Sequence, residues 1–452
     1  MTGAFRGPPL VLGVTSGVPG GQAGPIAAHS LLVFLLQVGL LLALALLLGR
    51  LAMRFGMPTV VGELLVGVIL GPSFLARLAP GLHAWLFPPD PGQLHLLDAV
   101  GSIGVLLLVG LTGAHMDTGL IRRRGAAAAG VSAGGLIVPL GLGIGAGLLL
   151  PRSLAGEGTD PLVFALFLGT SLCVSAIPVI AKTLLDMRLL HRDVGQLLLI
   201  AGMIDDAFGW FMLSIVSAMA AGAVTAGTVP AALLRLLAVA VFALTVGRPL
   251  VRGALRLAGG PQDPGPRAAT VVVLILLAAA GTHALDLEAV LGAFVCGLLI
   301  CSSGEAGRAG LAPVNTIVLS VLSPIFFATA GLRIDLTALA RPAVLLSALA
   351  VLAAAVAGKF LGAYAGARLS GLGRWEAVSV GAGLNARGVI EIVVAMTGLR
   401  LGILSGEAYT IVVLVAIVTS LMAPPVLRVA VARIRQTAEE RAREEEGRIR
   451  AA

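Results

Sequence analysis

Charged residues are scarce in this chain. Only 12% of its 452 residues are Asp, Glu, Lys or Arg, whereas 58% are hydrophobic. Soluble domains carry about twice that share of charge. Thirteen membrane-spanning helices of about 20 residues would use about 260 residues, which is close to the apolar content. The composition therefore excludes a soluble enzyme, a nucleic-acid-binding protein and a disordered chain, and it predicts an all-α polytopic protein embedded in a lipid bilayer.

Cysteine, lysine and aromatic residues are also few. The three cysteines are odd in number and lack C-x-x-C spacing, so neither a disulfide nor a cysteine-bound metal is expected. Only Lys182 and Lys359 are lysines among 31 basic residues, and aromatic residues make up 4% of the chain. The net charge of +8 fits basic cytoplasmic loops of a membrane protein, so it does not indicate binding to nucleic acid.

Apolar runs predict 13 spans. They lie at about 26–49, 58–76, 97–115, 125–150, 161–185, 195–222, 229–247, 268–284, 287–302, 313–332, 342–366, 376–399 and 405–428. Residues 1–25 are predicted to be a flexible non-cytoplasmic tail, 26–429 the transmembrane domain and 430–452 a short charged cytoplasmic tail. With the N-terminus outside and the C-terminus in the cytoplasm, most basic loop residues fall on the inner side, as membrane proteins prefer. The predicted location is the cell (inner) membrane.

Several segments of the first half of the chain recur in the second half. Residues 62–67 (GELLVG) in span 2 recur as residues 287–292 (LEAVLG) in span 9. Spans 5 and 12 share polar, interrupted sequence in their middles, at Ser171, Ser175 and Pro178 and at Asn385, Arg387 and Gly388. An odd number of spans separates the matching segments, so the copies have opposite orientations in the membrane. Broken helices in inverted repeats are typical of a transporter whose binding site lies near the bilayer midplane.

Two adjacent carboxylates stand near the middle of span 6. A charge at the bilayer centre costs about 2.5–3.5 kcal/mol on insertion scales, so each one needs a reason. Asp205 and Asp206 point about 100° apart on a helix and can engage different partners. Two buried like charges cannot both ionise cheaply unless a cation is near. The pair is therefore predicted to exchange protons for a monovalent cation, which would bind at Asp206 and Asp205.

Further polar residues lie within spans 5, 11 and 12. Lys359 is expected to be buried in span 11, although nearly all other basic residues of the chain are arginines. Lysine can lose its proton when it is desolvated, whereas arginine cannot, so the lysine at this position indicates a role that involves its proton. Arg387 and Glu391 are four residues apart, so we expect an ion pair that stabilises a broken helix; a cation-ligand role for Glu391 is the alternative. The hydroxyl of Ser175 either binds the cation or bonds back to the backbone. The residues expected to support the helix crossing are Ser171, Ser175, Asn385, Arg387 and Glu391.

Several of these segments resemble motifs of the monovalent cation:proton antiporter-2 family. The matching segments are 62–73 (GELLVGVILGPS), 175–182 (SAIPVIAK), the Asp205–Asp206 pair, 324–331 (PIFFATAG) and 385–391 (NARGVIE). They occur in the family's order between about residues 30 and 428. Within the family the chain is similar to the plant-type cation/H⁺ exchanger branch and its bacterial relatives.

The resemblance implies a 13-helix homodimer with the sodium/proton antiporter fold, in which a mobile core domain moves beside a dimerisation domain. It implies that broken helices in spans 5 and 12 cross beside the aspartates. Asp206 would be the principal carrier of cation and proton, and Asp205 would pair with Lys359. Ser175 matches a hydroxyl position in the first crossing helix. The family's acidic residue at the end of span 3 is missing here, because residues 110–117 read GLTGAHMD.

The predicted function is secondary active transport and not an enzymatic reaction. The protein is expected to exchange protons for Na⁺ or K⁺ by elevator-type alternating access, without a cofactor. A cation-coupled symporter of a small organic solute is the alternative, although it would need a larger cavity with more aromatic lining. An intramembrane aspartyl protease also needs two buried aspartates, but they must come from different helices, whereas Asp205 and Asp206 are neighbours on one.

Overall fold

The structure, a computed structural model, consists almost entirely of α-helices. It describes residues 27–441 except residues 56, 89, 116–117, 188, 190–191, 222–227, 259–263 and 438. The predicted tail at 1–25, the end of the chain from residue 442, and the pair 116–117 lie outside these described residues. Within them, the only isolated β-bridge joins Ala155 to Leu404.

The first half of the chain forms nine α-helices in the described residues. They are α1 (Ala28–Arg54), α2 (Thr59–Leu70), α3 (Leu75–Leu78), α4 (Pro80–Leu86), α5 (Pro91–Ala114), α6 (Thr118–Leu149), α7 (Pro161–Cys173), α8 (Ile177–Asp186) and α9 (Asp193–Ala221). Two of them begin alike: Asp90 caps α5 and Asp160 caps α7, each with a proline as the next residue. A side-chain oxygen at the cap and a proline in the first turn both favour a helix start at that point.

The second half continues the pattern with ten more α-helices in the described residues. They are α10 (Thr228–Phe242), α11 (Arg248–Leu257), α12 (Pro264–His283), α13 (Ala289–Cys301), α14 (Glu305–Ile317), α15 (Ser323–Gly331), α16 (Pro342–Leu369), α17 (Arg374–Leu384), α18 (Val389–Arg400) and α19 (Gly406–Val431). Short π-helical turns, Ala243–Gly247 and Val318–Leu322, join α10 to α11 and α14 to α15. The joined helices therefore run on as two longer stretches.

Ten helical stretches in the described residues are long and apolar enough to cross a membrane, and the bent pair of α17 and α18 makes an eleventh. α7 and α13 are apolar but have 13 residues each, which gives about 20 Å of helix against a hydrocarbon core of about 30 Å. A count of 13 requires α7 together with α8, and α13, to cross as well. The all-α, multi-pass architecture is confirmed, and the exact number of 13 spans stays a prediction.

Two of the predicted spans are broken in the middle. Residues 174–176 separate α7 from α8, and residues 385–388 separate α17 from α18, which meet at a bend of 42°. The two breaks contact each other, since Ala176 N donates to Ala386 O at 3.2 Å. Gly388 has a φ of 158°, a conformation that residues with a side chain rarely adopt. The prediction of two broken, crossing helices is confirmed.

Most of the helices pack in two sets. α6 to α9 and α16 to α19 contact one another, while α1, α2, α5 and α11 to α15 form the second set. In the first set, α6 and α16 approach through facing glycines: a Cβ on Gly134 would lie 2.2 Å from Gly362 O, and a Cβ on Gly366 would lie 2.3 Å from Gly130 O. Such close backbone contact is the usual way small residues join membrane helices. The first set carries both broken helices and both aspartates.

Candidate functional site: a buried carboxylate pair at the helix crossing

Asp205 and Asp206 lie in the middle of α9, and both side chains are completely buried. Asp205 Oδ2 accepts hydrogen bonds from Lys359 Nζ at 2.6 Å and from Ser175 Oγ at 2.9 Å. A carboxylate removed from water is stable when charged partners and donors replace its hydration. Asp205 has that replacement on Oδ2 alone, because its Oδ1 has no hydrogen-bond partner among the described residues.

Lys359 enters the site from α16, where it is completely buried. Its ammonium group also donates to Cys173 O at 2.5 Å. Cys173 is the last residue of α7, so this carbonyl belongs to the negative end of that half-helix. Lys359 therefore neutralises both the Asp205 carboxylate and the carbonyl end of the first broken helix.

Ser175 and Asn385 lie in the two breaks. The single hydroxyl proton of Ser175 can go to Asp205 Oδ2 at 2.9 Å or to Leu384 O, the end of α17, at 3.0 Å. Asn385 donates from Nδ2 to Val356 O on α16 at 3.2 Å, and its Oδ1 has no hydrogen-bond partner in the described part of the chain. Each break thus contributes one polar side chain that bonds to a neighbouring helix.

Asp206 is buried without any hydrogen-bond partner among the described residues for either carboxylate oxygen. The backbone N–H of Ile177, the first residue of α8, faces the carboxylate, so Asp206 lies near the positive end of that half-helix. Desolvation makes an isolated buried carboxylate costly by several kcal/mol. Either a bound proton or a bound cation would compensate the charge of Asp206, and the same two oxygens are available to both.

Arg387 bonds to Glu391 and to backbone carbonyls, while Arg387 Nε and Glu391 Oε2 have no hydrogen-bond partner among the described residues. Arg387 Nη1 donates to Glu391 Oε1 and to Ser171 O, each at 3.2 Å. Its Nη2 donates to Leu172 O and to Ala355 O. The guanidinium therefore neutralises the last carbonyls of α7 together with Glu391, which favours a structural role for the pair. The hydroxyl of Ser171 takes no part in this contact and has no hydrogen-bond partner among the described residues.

Ser132 on α6 is a polar neighbour of the site that the sequence does not single out. The side chain is buried, and its Oγ donates to Ala201 O at 3.2 Å, one helical turn before Asp205 on α9. The hydroxyl also faces the Asp205 carboxylate. In the sequence, Ser132 stands among the alanines and glycines of span 4, where a small residue is expected merely to pack helices.

The ligands available in this site are carboxylate and hydroxyl oxygens. In the described ranges, no group of three or more His, Cys, Asp and Glu side chains could hold a resident metal ion. Oxygen ligands suit hard cations that form no strong bonds to sulfur or nitrogen. The structure thus brings Asp205, Asp206, Lys359 and Ser175 together, and it places the remaining predicted residues around them, namely Ser171, Asn385, Arg387 and Glu391.

Comparison with known proteins gives matches over almost the whole chain. The family model "Sodium/hydrogen exchanger, transmembrane" matches residues 40–433. The Na(+)/H(+) antiporter NhaS4 of Synechocystis is 31% identical over 402 residues, which cover 88% of this chain and 97% of that one. Cation/H(+) antiporter 15 of Arabidopsis thaliana is 29% identical over 88% of this chain, but the match spans only 48% of the plant protein.

Solved structures show the same fold at lower sequence identity. The sodium proton antiporter MjNhaP1 from Methanocaldococcus jannaschii at pH 8 superposes with a TM-score of 0.55 and 18% identity, over 89% of this chain and 99% of that one. An electron-microscopy map of the same antiporter gives a TM-score of 0.63 and 17% identity over 90% of this chain. At these identities the likeness establishes the fold alone.

Proposed function

The chain belongs to the sodium/hydrogen exchanger family, and on that premise we propose that it exchanges protons for Na⁺ or K⁺ across the membrane. The family membership confirms the resemblance to cation/proton antiporters in the motifs. The protein is a secondary active transporter and not an enzyme. The observation that supports the exchange most directly is Asp206, whose two buried carboxylate oxygens have no hydrogen-bond partner among the described residues.

Competition at Asp206 couples the two ions. The carboxylate is neutral when it holds a proton and close to neutral when it holds a monovalent cation. Without either ion it is a bare charge in an apolar interior, which costs several kcal/mol. The loaded states can therefore move across the membrane, while the empty state moves only rarely. That difference produces exchange in place of a leak.

Lys359 makes the second carboxylate part of the cycle. While no cation is bound, its ammonium group neutralises Asp205 at 2.6 Å. An entering cation competes for the same carboxylate and displaces the ammonium group. If Lys359 then loses its proton, two protons move for each cation and the exchange is electrogenic; if it keeps the proton, the stoichiometry is lower. Lysine permits the first outcome, whereas arginine does not.

The two sets of helices suggest how the site moves. In an elevator-type cycle, α6 to α9 and α16 to α19 form the mobile core, and the second set forms the scaffold. Contacts between the sets include Tyr409 OH donating to Ala330 O at 2.8 Å and Asp335 N donating to Thr410 Oγ1 at 3.1 Å. These contacts join α19 to the segment at the end of α15, so the movement of the core breaks them.

A homodimer through the scaffold fits the exposed apolar surface of that set. α1 buries few of its apolar residues within the chain; Leu35 is 60% exposed and Leu47 is 62% exposed. Such a face is covered by lipid or by a second copy. The distribution of basic loop residues supports an N-terminus outside and a C-terminus in the cytoplasm of a cell-membrane protein.

Purified protein in liposomes with an inside-acid pH gradient tests the exchange. External Na⁺, K⁺ or Li⁺ should dissipate the gradient, as a ΔpH-sensitive dye reports, and Asp206→Asn should abolish the response. The matched control is Asp160→Asn, because this exposed aspartate only caps α7 and asparagine caps equally well. A full response in Asp206→Asn would contradict the proposal. If folded wild type responded to no cation, antiport would be overturned, and symport of an organic solute would become the preferred hypothesis.

A further inference from the structure

Ser132 makes an unusual contact for a serine inside a helix of this protein. Buried hydroxyls on helices commonly donate to the carbonyl four residues earlier on their own helix. Ser214, Ser379 and Thr419 all do so here. Ser132 instead donates across to α9, to Ala201 O at 3.2 Å.

The packing of α6 explains this direction. Gly130 and Gly134 lie against α16, where an added Cβ would meet the backbone or Ser370. A residue two positions away on a helix is turned by about 200°, so Ser132 is on roughly the opposite side of α6. That side faces α9, one turn before Asp205. The glycine contact with α16 therefore holds the Ser132 hydroxyl beside the carboxylate pair.

The hydrogen bonds at Asp205 leave room for a further partner. Its Oδ2 is shared by Lys359 and Ser175, whereas its Oδ1 has no hydrogen-bond partner among the described residues. A hydroxyl has one donor and two acceptor lone pairs. The single proton of the Ser132 hydroxyl goes either to Ala201 O or to the Asp205 carboxylate, and in both cases the two lone pairs of its Oγ remain free for a positively charged ligand.

We propose that Ser132 Oγ is a ligand of the transported cation, which it binds together with the carboxylates of Asp205 and Asp206. This assignment rests on the proposed cation/proton exchange at Asp206. An alkali cation that enters a buried site loses hydration water, and protein oxygens must replace it. Ser175 supplies a hydroxyl from the helix break, and Ser132 supplies a second one from α6. The cation is then held by oxygens from three helical elements, all within the set of helices that carries the site.

Two substitutions at Ser132 separate ligation from packing. Ser132→Ala removes the oxygen, and Ser132→Cys keeps a side chain of similar shape but replaces the hard oxygen with a soft sulfur, which suits soft cations better. Ser214→Ala is the matched control, since Ser214 is equally buried and, among the described residues, bonds only to its own helix through Trp210 O. The half-saturating concentrations of Na⁺, K⁺ and Tl⁺, a soft cation close to K⁺ in size, are measured in the liposome assay at fixed pH.

Ser132→Ala should raise the half-saturating concentrations of Na⁺ and K⁺ about 5- to 10-fold with a maximal rate within about twofold of wild type, the effect of one lost neutral ligand. In Ser132→Cys, the preference for Tl⁺ over K⁺ should rise about fivefold or more. Unchanged half-saturating concentrations in an active Ser132→Ala protein, or an equal shift in Ser214→Ala, would overturn the assignment. These results presuppose an active wild type, so they are distinct from a failure of the exchange itself.

Discussion

Lys359 Nζ lies 2.6 Å from Asp205 Oδ2, and both side chains are fully buried. The pair joins α16 to α9 within the set of helices that contains the crossing. Attraction between the two charges offsets the cost of removing both from water, whereas either charge left alone is strongly unfavourable. The ion pair therefore stabilises the site, and in the proposed exchange an entering cation displaces it.

Removal of either partner of this pair should destabilise the protein. Lys359→Met and Asp205→Asn each leave one buried polar group uncompensated, with an expected loss of about 3–5 kcal/mol. The double variant leaves no charge unpaired, so its loss should be smaller than the sum of the two. Melting temperatures of the four purified proteins in detergent measure this coupling. Strictly additive losses would show that the two groups do not stabilise each other.

The glycine contact between α6 and α16 should be intolerant of a methyl group. In Gly134→Ala the new Cβ would lie 2.2 Å from Gly362 O, so the helices must separate, at a cost of about 1–3 kcal/mol or more. In Gly141→Ala on the same helix the new Cβ would meet no atom of the described residues within 4 Å, so this variant should be neutral or slightly stabilising. The melting temperatures of the two variants, measured by thermal unfolding, are compared with that of wild type. Equal stability of the two would mean that the helices do not pack at this distance.

Arg387 should be irreplaceable for stability. Its guanidinium contacts Glu391 and three backbone carbonyls, and lysine cannot reproduce that fork of donors. Arg387→Lys and Arg387→Met should both destabilise the protein, the latter by about 3–5 kcal/mol. The control is Arg341→Ala, which breaks an exposed ion pair with Glu407 and should cost about 0–1 kcal/mol. Wild-type melting of Arg387→Met would refute this structural role.

The segment after α19 is attached to the start of α9 by Glu440. Its Oε1 accepts from Asp193 N at 2.7 Å, and its Oε2 accepts from Thr437 N at 2.8 Å and lies 3.2 Å from Arg192 Nε. Burial acts to raise the pKa of the Glu440 carboxyl, but these two backbone donors and the Arg192 charge outweigh it, and the pKa lies below the ordinary value of 4.5.

A lowered pKa in the folded state means that the ionised carboxylate stabilises the attachment. This contribution is fully present above the ordinary pKa and is lost as the pH falls through the lower, folded-state pKa. Glu440→Gln should therefore lower the melting temperature at neutral pH, and the difference from wild type should shrink as the pH falls below the ordinary pKa of 4.5 and vanish below the folded-state pKa. A difference that persists unchanged into acid would mean that the charge of Glu440 is not what holds the segment.

The charged residues of the site can be predicted from the sequence, whereas Ser132, which matters because of where the fold places it, cannot. Asp205, Asp206 and Lys359 stand out because a charge inside an apolar run is costly. The breaks in spans 5 and 12 are indicated by polar residues and by Pro178 and Gly388. Each of these features is a residue type that is unusual within an apolar span, so it can be recognised from the sequence alone.

Ser132 and the lengths of the spans depend on three-dimensional packing. Ser132 is separated from Asp205 by 73 positions in the numbering, and only the rotation of α6 against α16 turns it towards α9. The apolar run 161–185 reads as one span, yet α7 stops after 13 residues, because residues 174–176 meet the second break. The sequence indicates that span 5 is broken, but the position of Ser132 beside Asp205 and the residue at which α7 ends both depend on the partner helix.

Proton release on cation binding tests the competition at Asp206 most directly. Na⁺ or K⁺ is added to purified, detergent-solubilised protein in weakly buffered solution, and the pH change is recorded for wild type, Asp206→Asn and Asp160→Asn. Wild type and Asp160→Asn should release at least one proton per chain, because the entering cation replaces a proton on a buried carboxylate. Asp206→Asn should release none. Equal release from folded Asp206→Asn would contradict the account, because the cation would then displace protons from some other group.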